Sequence, residues 1–158
     1  MAATQTLSVI GEIQPGPEGF VIDLDPRFAP GLTGLDDFSH AIVLWWASES
    51  DSQEDRDRLV YEKPYTNNPN DVGVFGSRSP SRPNPIGLSV IAIQSVDKEH
   101  ANIVTPYIDT EPGTPVIDVK PYYPASDRVR EVAVADWCSH WPTWLEDSAE
   151  FDWAGEFE

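Results

Sequence analysis

Apolar positions along this chain come in short runs, rich in Val and Ile and separated by turn residues. The runs are Thr6–Ile13, Phe20–Leu24, Ala41–Ala47, Val72–Phe75, Leu88–Ser95, Ala101–Thr105 and Val116–Val119. Such a pattern predicts strands. From Leu88 the alternation is regular enough for a half-buried strand, and Asp97–His100 then reads as a hairpin loop into Ala101–Thr105. Fifteen prolines interrupt the chain often enough to exclude long helices. One helix is expected over Asp51–Tyr61, entered at Ser50 or Asp51, with Glu54 placed for a capping box. A second, short one is expected near Pro142–Ala149. Strands and helices do not alternate at the usual length, so a doubly wound sheet is not expected. Closely spaced antiparallel strands point instead to a small barrel or a strongly curved sheet. Lys63–Asp71 is a loop by composition. Trp137–Glu158 holds four of the six tryptophans, which need a surface to cover, either the barrel or a partner subunit.

Length and composition narrow the class. At 158 residues, one globular domain is expected, and 40% apolar residues suffice for a core. Cys138 is the single cysteine, so no intrachain disulfide forms. The longest apolar run, Ala41–Ala47, is far short of the ~20 residues a membrane helix needs. The N-terminal residues have neither a basic nor an apolar stretch, so no signal peptide is expected. The expectation is a soluble, cytoplasmic protein with no membrane partner.

Charge changes the picture more. The net charge is −17, from 27 acids and 10 bases, which argues against bulk attraction to a polyanion. Residues 1–55 carry −9 and residues 131–158 carry −8, while residues 56–130 hold nine of the ten bases. The sequence therefore divides into a main domain over 1–130 and an acidic, Trp-rich extension over 131–158.

Familiar catalytic and phosphate-binding motifs are absent. The three histidines, His40, His100 and His140, are dispersed and no metal site is expected. One stretch stands out, Gly73–Ser89, in which Arg78 and Arg82 sit among Pro80, Pro83 and Pro85. Prolines stiffen such a loop, and two arginine forks on it suit a carboxylate or phosphate, or else the chain's own acids. A second stretch, Tyr107–Tyr122, turns on Pro112-Gly113 and resumes as a strand. Period two puts Asp118 and Lys120 on one face of it, an arrangement equally open to a surface ion pair. A third, Pro30–His40, has a Gly-rich turn before the strand at 41.

Taken in order, Gly-Leu-Thr-Gly-Leu-Asp-Asp-Phe-Ser-His, Gly-Val-Phe-Gly-Ser-Arg-Ser-Pro-Ser-Arg-Pro-Asn-Pro-Ile-Gly-Leu-Ser and Gly-Thr-Pro-Val-Ile-Asp-Val-Lys-Pro-Tyr resemble the TrmO (TsaA-like, YaeB) family over residues 7–124. The resemblance implies a mainly-β, TsaA-like barrel with short helices, usually dimeric, that uses S-adenosyl-L-methionine as methyl donor. It implies N6-methylation of threonylcarbamoyl-adenosine in tRNA. By the same resemblance, Arg78, Leu88 and the segment Pro106, Tyr107, Ile108 and Asp109 hold the cofactor. Arg82, Asn84 and Lys120 match motif positions assigned here to substrate, and Asp118 is the candidate proton acceptor. Two features depart from the bacterial pattern: Ser48-Glu49 stand where His-Gln is common, and a Trp-rich acidic stretch stands where a further domain is usual. With the charge, these leave a small-molecule acceptor, or a non-catalytic S-adenosylmethionine-binding module, as alternatives.

Overall fold

Pro17 and Glu18 turn the chain between Gly16 and Gly19, and this tight hairpin sets the register of the strands on either side of it. Gly19 has φ of +136°, and a Cβ there would lie 2.5 Å from the Thr105 carbonyl oxygen and 2.6 Å from that of Pro106. Only glycine tolerates both the conformation and the approach. The computed structural model describes residues 3–157; Met1, Ala2 and Glu158, the last residue of the expected extension, lie outside them.

The hairpin comprises β1 (Gly11–Gly16) and β2 (Gly19–Leu24). β3 (His40–Trp46) comes after two 3-10 turns that supply buried Leu32 and Leu35. A small pair, β4 (Val60–Tyr61) and β5 (Val72–Gly73), stands apart. The remaining strands are β6 (Ile86–Ala92), β7 (Ser95–Asp97), β8 (Asn102–Thr105) and β9 (Pro115–Pro121). Seven strands form one antiparallel sheet in the order β6-β3-β9-β1-β2-β8-β7. Ile13, Ile22 and Ile103 lie opposite one another across β1, β2 and β8, each fully buried. Each contributes about 1.5–3 kcal/mol by leaving water. Val43, Ile91 and Val116 continue the same buried face.

The pairing does not close the expected barrel: β6 and β7 end the strand order and do not pair with each other. The two edges are instead joined through the chain. Ile93 donates its N–H to Ser39 O at 2.8 Å, and the next residue, Gln94, donates to Val104 O at 2.8 Å. Consecutive residues thus bond to opposite margins, so the sheet is strongly curved.

Other expectations shift for local reasons. β1 begins at Gly11, not Thr6, because the strand opposite it leaves the sheet after Asp25, whose N–H still bonds Ile10 O at 2.9 Å, for the 3-10 turn over Pro26–Leu32. The expected helix over Asp51–Tyr61 shrinks to α1 (Gln53–Asp57). Its cap is Ser52, whose hydroxyl accepts the Asp55 N–H at 3.1 Å; Glu54 instead pairs with Arg58 at 3.5 Å. The helix stops because Leu59, Val60 and Tyr61 take β conformation, with Leu59 O accepting from Val74 N–H. The expected strand at 72–75 turns into a 3-10 turn at Val74, and the helix expected near 142–149 is a 3-10 turn over Leu145–Glu150. No helix among the described residues is long and apolar enough to cross a membrane.

The last residues cover the 62–71 loop. Trp137 stacks on Tyr65 at 4.2 Å, and Trp141, Trp153 and Phe157 extend the cluster. Buried Glu156 accepts from Trp141 Nε1 and bonds His140 Nε2, both at 2.9 Å. The His140 hydrogen bond, then that of Trp141, holds the Glu156 carboxyl below its ordinary value. A carboxylate so lowered stabilises fully above the ordinary glutamate range and loses that contribution as pH falls through the lowered value. Tryptophan fluorescence should therefore show an acid transition below the ordinary glutamate range that shifts or vanishes in Glu156→Gln. The same transition in both proteins would separate Glu156 from the cluster's stability.

A second expectation concerns Gly87. A Cβ there would overlap the Trp45 indole, whose Nε1 donates to Ser89 Oγ. Gly87→Ala must displace that ring and should cost about 1–3 kcal/mol in urea unfolding. An unchanged midpoint would mean that Trp45 moves freely.

Candidate functional site

Antiparallel pairing gathers particular strand ends. Gly16 faces Gly19, Trp46 faces Ile86, Trp45 faces Val116 and Phe20 faces Thr105. The β1–β2 turn, the end of β3, the loop before β6 and the loop between β8 and β9 therefore share one end of the sheet. Two of the sequence-derived groups lie on connections that reach this end: Arg78 is in the loop before β6, and Pro106–Asp109 come directly after β8. Leu88 is the third residue of β6 and is 45% exposed.

The arginine loop is built around its own second arginine. Arg82 donates from one guanidinium nitrogen to Ser77 O and Ser79 O, each at 3.3 Å. One nitrogen of its guanidinium is thereby turned to the loop's carbonyls. Arg78 and Asn84 are exposed, and Arg78 has no ion pair among the described residues. The Pro106–Asp109 segment is anchored by Ile108, which is 2% exposed, while Pro106, Tyr107 and Asp109 face solvent. Thr105 Oγ1 donates to Tyr107 O at 3.1 Å, and the Tyr107 ring meets Phe20 edge-on at 6.3 Å. Burial, then the neighbouring Asp109, pushes the Tyr107 phenol up from its ordinary value. The backbone N–H groups of Tyr107, Ile108 and Asp109 have no hydrogen-bond partner among the described residues. Thr110 Oγ1 is buried without a partner in the same turn. A loop with unengaged donors is suited to hold the acceptor atoms of a ligand.

Asp118 and Lys120 are placed differently. They share one face of β9, and Lys120 Nζ lies 2.6 Å from Asp118 Oδ2. The Asp118 hydrogen bond raises the Lys120 pKa. Asp118 Oδ1 accepts the Val119 N–H at 2.9 Å. Asp118 and Leu88 both face Leu44 across β3, so they stand two strands, roughly 10 Å, apart on one face. Asp118 also lines a cleft of about 640 Å³ with Leu24, Phe28, Leu35, Phe38 and Tyr123. That cleft opens at the other end of the sheet, beyond β2 and β9. Sequence reasoning missed the cleft because its walls come from the Pro30–His40 stretch, which reads as simple packing before β3. Among the described residues no cluster of three or more His, Cys, Asp or Glu side chains could hold a metal ion.

The fold defines a mainly-β protein built on one curved antiparallel sheet with short helices. The family model of the tRNA-methyltransferase O N-terminal domain matches residues 13–128, and the chain belongs to that family. An S-adenosyl-L-methionine-binding protein of Archaeoglobus fulgidus is 38% identical over 106 residues, covering 67% of this chain and 70% of that protein. A Pseudomonas aeruginosa protein, named as a candidate S-adenosylmethionine-dependent methyltransferase, is 35% identical over 129 residues, covering 79% of this chain and 52% of that protein. The crystal structure of TrmO from P. aeruginosa superposes with a TM-score of 0.66 at 25% identity, over 86% of this chain and 62% of that one. Lengths differ: this chain spans only 27% of a second A. fulgidus relative, 35% identical over 108 residues.

The Asp118–Lys120 pair is about half exposed. Exposed pairs of this kind add little to folding, so Lys120→Ala should leave the urea midpoint unchanged. A lowered midpoint would assign the pair to the scaffold.

Proposed function

We propose that this protein is an S-adenosyl-L-methionine-dependent methyltransferase, most simply one that methylates the N6 nitrogen of threonylcarbamoyl-adenosine in tRNA. The observation that carries the reading is the pairing of family membership with loop geometry. Arg78 stands exposed and unpaired among the described residues, at the same end of the sheet as the open donors of Tyr107–Asp109. These residues fit the cofactor. The free N–H groups suit its acceptor atoms, and Arg78 suits its carboxylate or a phosphate of the acceptor. Leu88 gives apolar contact, and buried Ile108 holds in place the segment that carries the donors. S-adenosylmethionine supplies an electrophilic methyl on a sulfonium, so the protein's work is alignment and exclusion of water. Asn84 and Lys120 are assigned to the acceptor, with Arg82 acting through the loop it ties. Asp118, oriented by Lys120 and the Val119 N–H, is the proton acceptor, over the face it shares with Leu88.

A small-molecule acceptor is the second reading, and the cations favour it. Of six that a tRNA footprint would use, Arg56 pairs with Asp51 at 2.5 Å, Arg58 with Glu54 at 3.5 Å, and Arg82 with loop carbonyls. Lys63, Arg128 and Arg130 have no ion pair among the described residues. A homodimer belongs to the same proposal. The tail's Trp137, Trp141 and Trp153 are engaged within the chain. Apolar surface for association comes instead from Phe75 and Ile86, 83% and 39% exposed. Residues 1–130 are the catalytic domain in this reading, and 131–158 an extension applied to it.

Calorimetry should show S-adenosylmethionine binding, weakened in Arg78→Ala by about 10–150-fold, the loss of one charge-assisted contact. Equal affinity in both proteins would remove Arg78 from the cofactor site. Labelled methyl should enter threonine tRNA, less so as salt rises. Binding without incorporation at any salt would turn the proposal to the small-molecule acceptor.

A further inference from the structure

The loop Ser77–Pro85 is gripped from beneath by more than Arg82. The Tyr61 hydroxyl donates to Ser81 O, and Ser81 Oγ donates to Asp55 Oδ1 at 2.7 Å. Arg56 donates from one terminal nitrogen to Pro83 O at 3.2 Å and from Nε to Asp51 Oδ1 at 2.5 Å. The other Asp51 oxygen accepts from Trp46 Nε1 at 2.9 Å, and the Arg56 guanidinium lies over the Trp46 ring at 5.4 Å. Residues 77, 79, 81 and 83 are therefore each held, while Arg78, Pro80 and Asn84 between and beside them are exposed. The arrangement anchors the loop to the last residue of β3 through a single side chain. Among the described residues no other cation bonds a carboxylate and a loop carbonyl with two nitrogens of one planar group, a task suited to a guanidinium.

We propose that Arg56 is a positioning residue for Arg78: by joining Pro83 O to Asp51 and Trp46, it fixes the loop so that Arg78 projects from it in one orientation. The role in ligand binding rests on the cofactor reading above; the grip on the loop does not. α1 then has a purpose its sequence does not declare, presenting Asp55 and Arg56 to loop residues 26 and 27 positions further along.

Two measurements test this on the whole protein. Trypsin cleaves after Arg78 but not at Arg82, which precedes proline. Cleavage at Arg78 should accelerate about tenfold in Arg56→Ala with the melting temperature unchanged; should that variant not fold, Arg56→Gln takes its place. Arg56→Lys, which reaches Asp51 or Pro83 O but not both, should fall between. An unchanged cleavage rate overturns the proposal, whatever the ligand. The second arm is a double-mutant cycle read as S-adenosylmethionine affinity. Arg56→Ala should weaken binding about tenfold in the wild-type background and not at all in Arg78→Ala. Equal losses in both backgrounds would mean that Arg56 does not act through Arg78, and would overturn it. Failure of the unmutated protein to bind S-adenosylmethionine would count against the cofactor reading alone, with the trypsin arm still deciding the grip.

Discussion

The curvature of the whole sheet depends on one step of the chain. Ile93 and Gln94 are neighbours, yet their N–H groups go to Ser39 and Val104, on opposite margins of the seven-stranded sheet. Two residues span only about 7 Å, so the margins must approach each other there and the sheet must bend. That bend turns a flat ladder into a cup. The loop before β6 and the loop after β8 sit far apart in strand order but come to the same rim. The bend also buries one face without a layer of helices, which explains how fully buried Ile13, Ile22 and Ile103 coexist with so few helical residues.

The surface charge is organised with a purpose that the total conceals. Arg27, Arg56, Arg58, Lys98 and Lys120 each lie within 4 Å of a carboxylate, and Arg82 spends its fork on carbonyls. Arg78 keeps its charge free of any described carboxylate in a chain with 27 acids. Lys63, Arg128 and Arg130 share that state among the described residues, and an exposed unpaired cation gives a local field that an anionic group can find, because screening limits the distant acids to roughly 10 Å at ordinary salt.

Strands were legible in the sequence wherever both neighbours lay within the core. β2, β3 and β8 keep closely to their alternation, and Asp97 closes the β7–β8 hairpin by accepting from the Glu99 and His100 N–H groups. Boundaries failed where a distant residue decided them. Nothing near Leu59 announces that Val72 and Gly73 will claim Val60 and Tyr61 and end α1 early. Strong curvature was expected from the short antiparallel strands, but not the step that sets it, which rests on the two residues between β6 and β7. Arg78 and Pro106–Asp109 stand out in the sequence as motifs, whereas the hold of Arg82 on the loop carbonyls leaves no sequence signal, because a carbonyl staple and a ligand contact look alike there. Arg56 carried no local signal, its partner lying 27 residues away.

The order of strands in the sheet bears on synthesis. β9 lies between β3 and β1, so the β1–β2 hairpin and β3 are not joined in the sheet until residues 115–121 exist. Gly11 waits for Val116, about 100 residues later, which at translation speeds of about 5–20 residues per second is roughly 5–20 s. During that interval the β1–β2 hairpin and β3 carry exposed apolar edges. Pairings this distant also make folding slow relative to helical proteins of the same size. The nascent chain therefore passes through a period in which its first third has unpaired strand edges, and the acids that crowd residues 1–55 give that segment a net charge of −9, so that like segments repel.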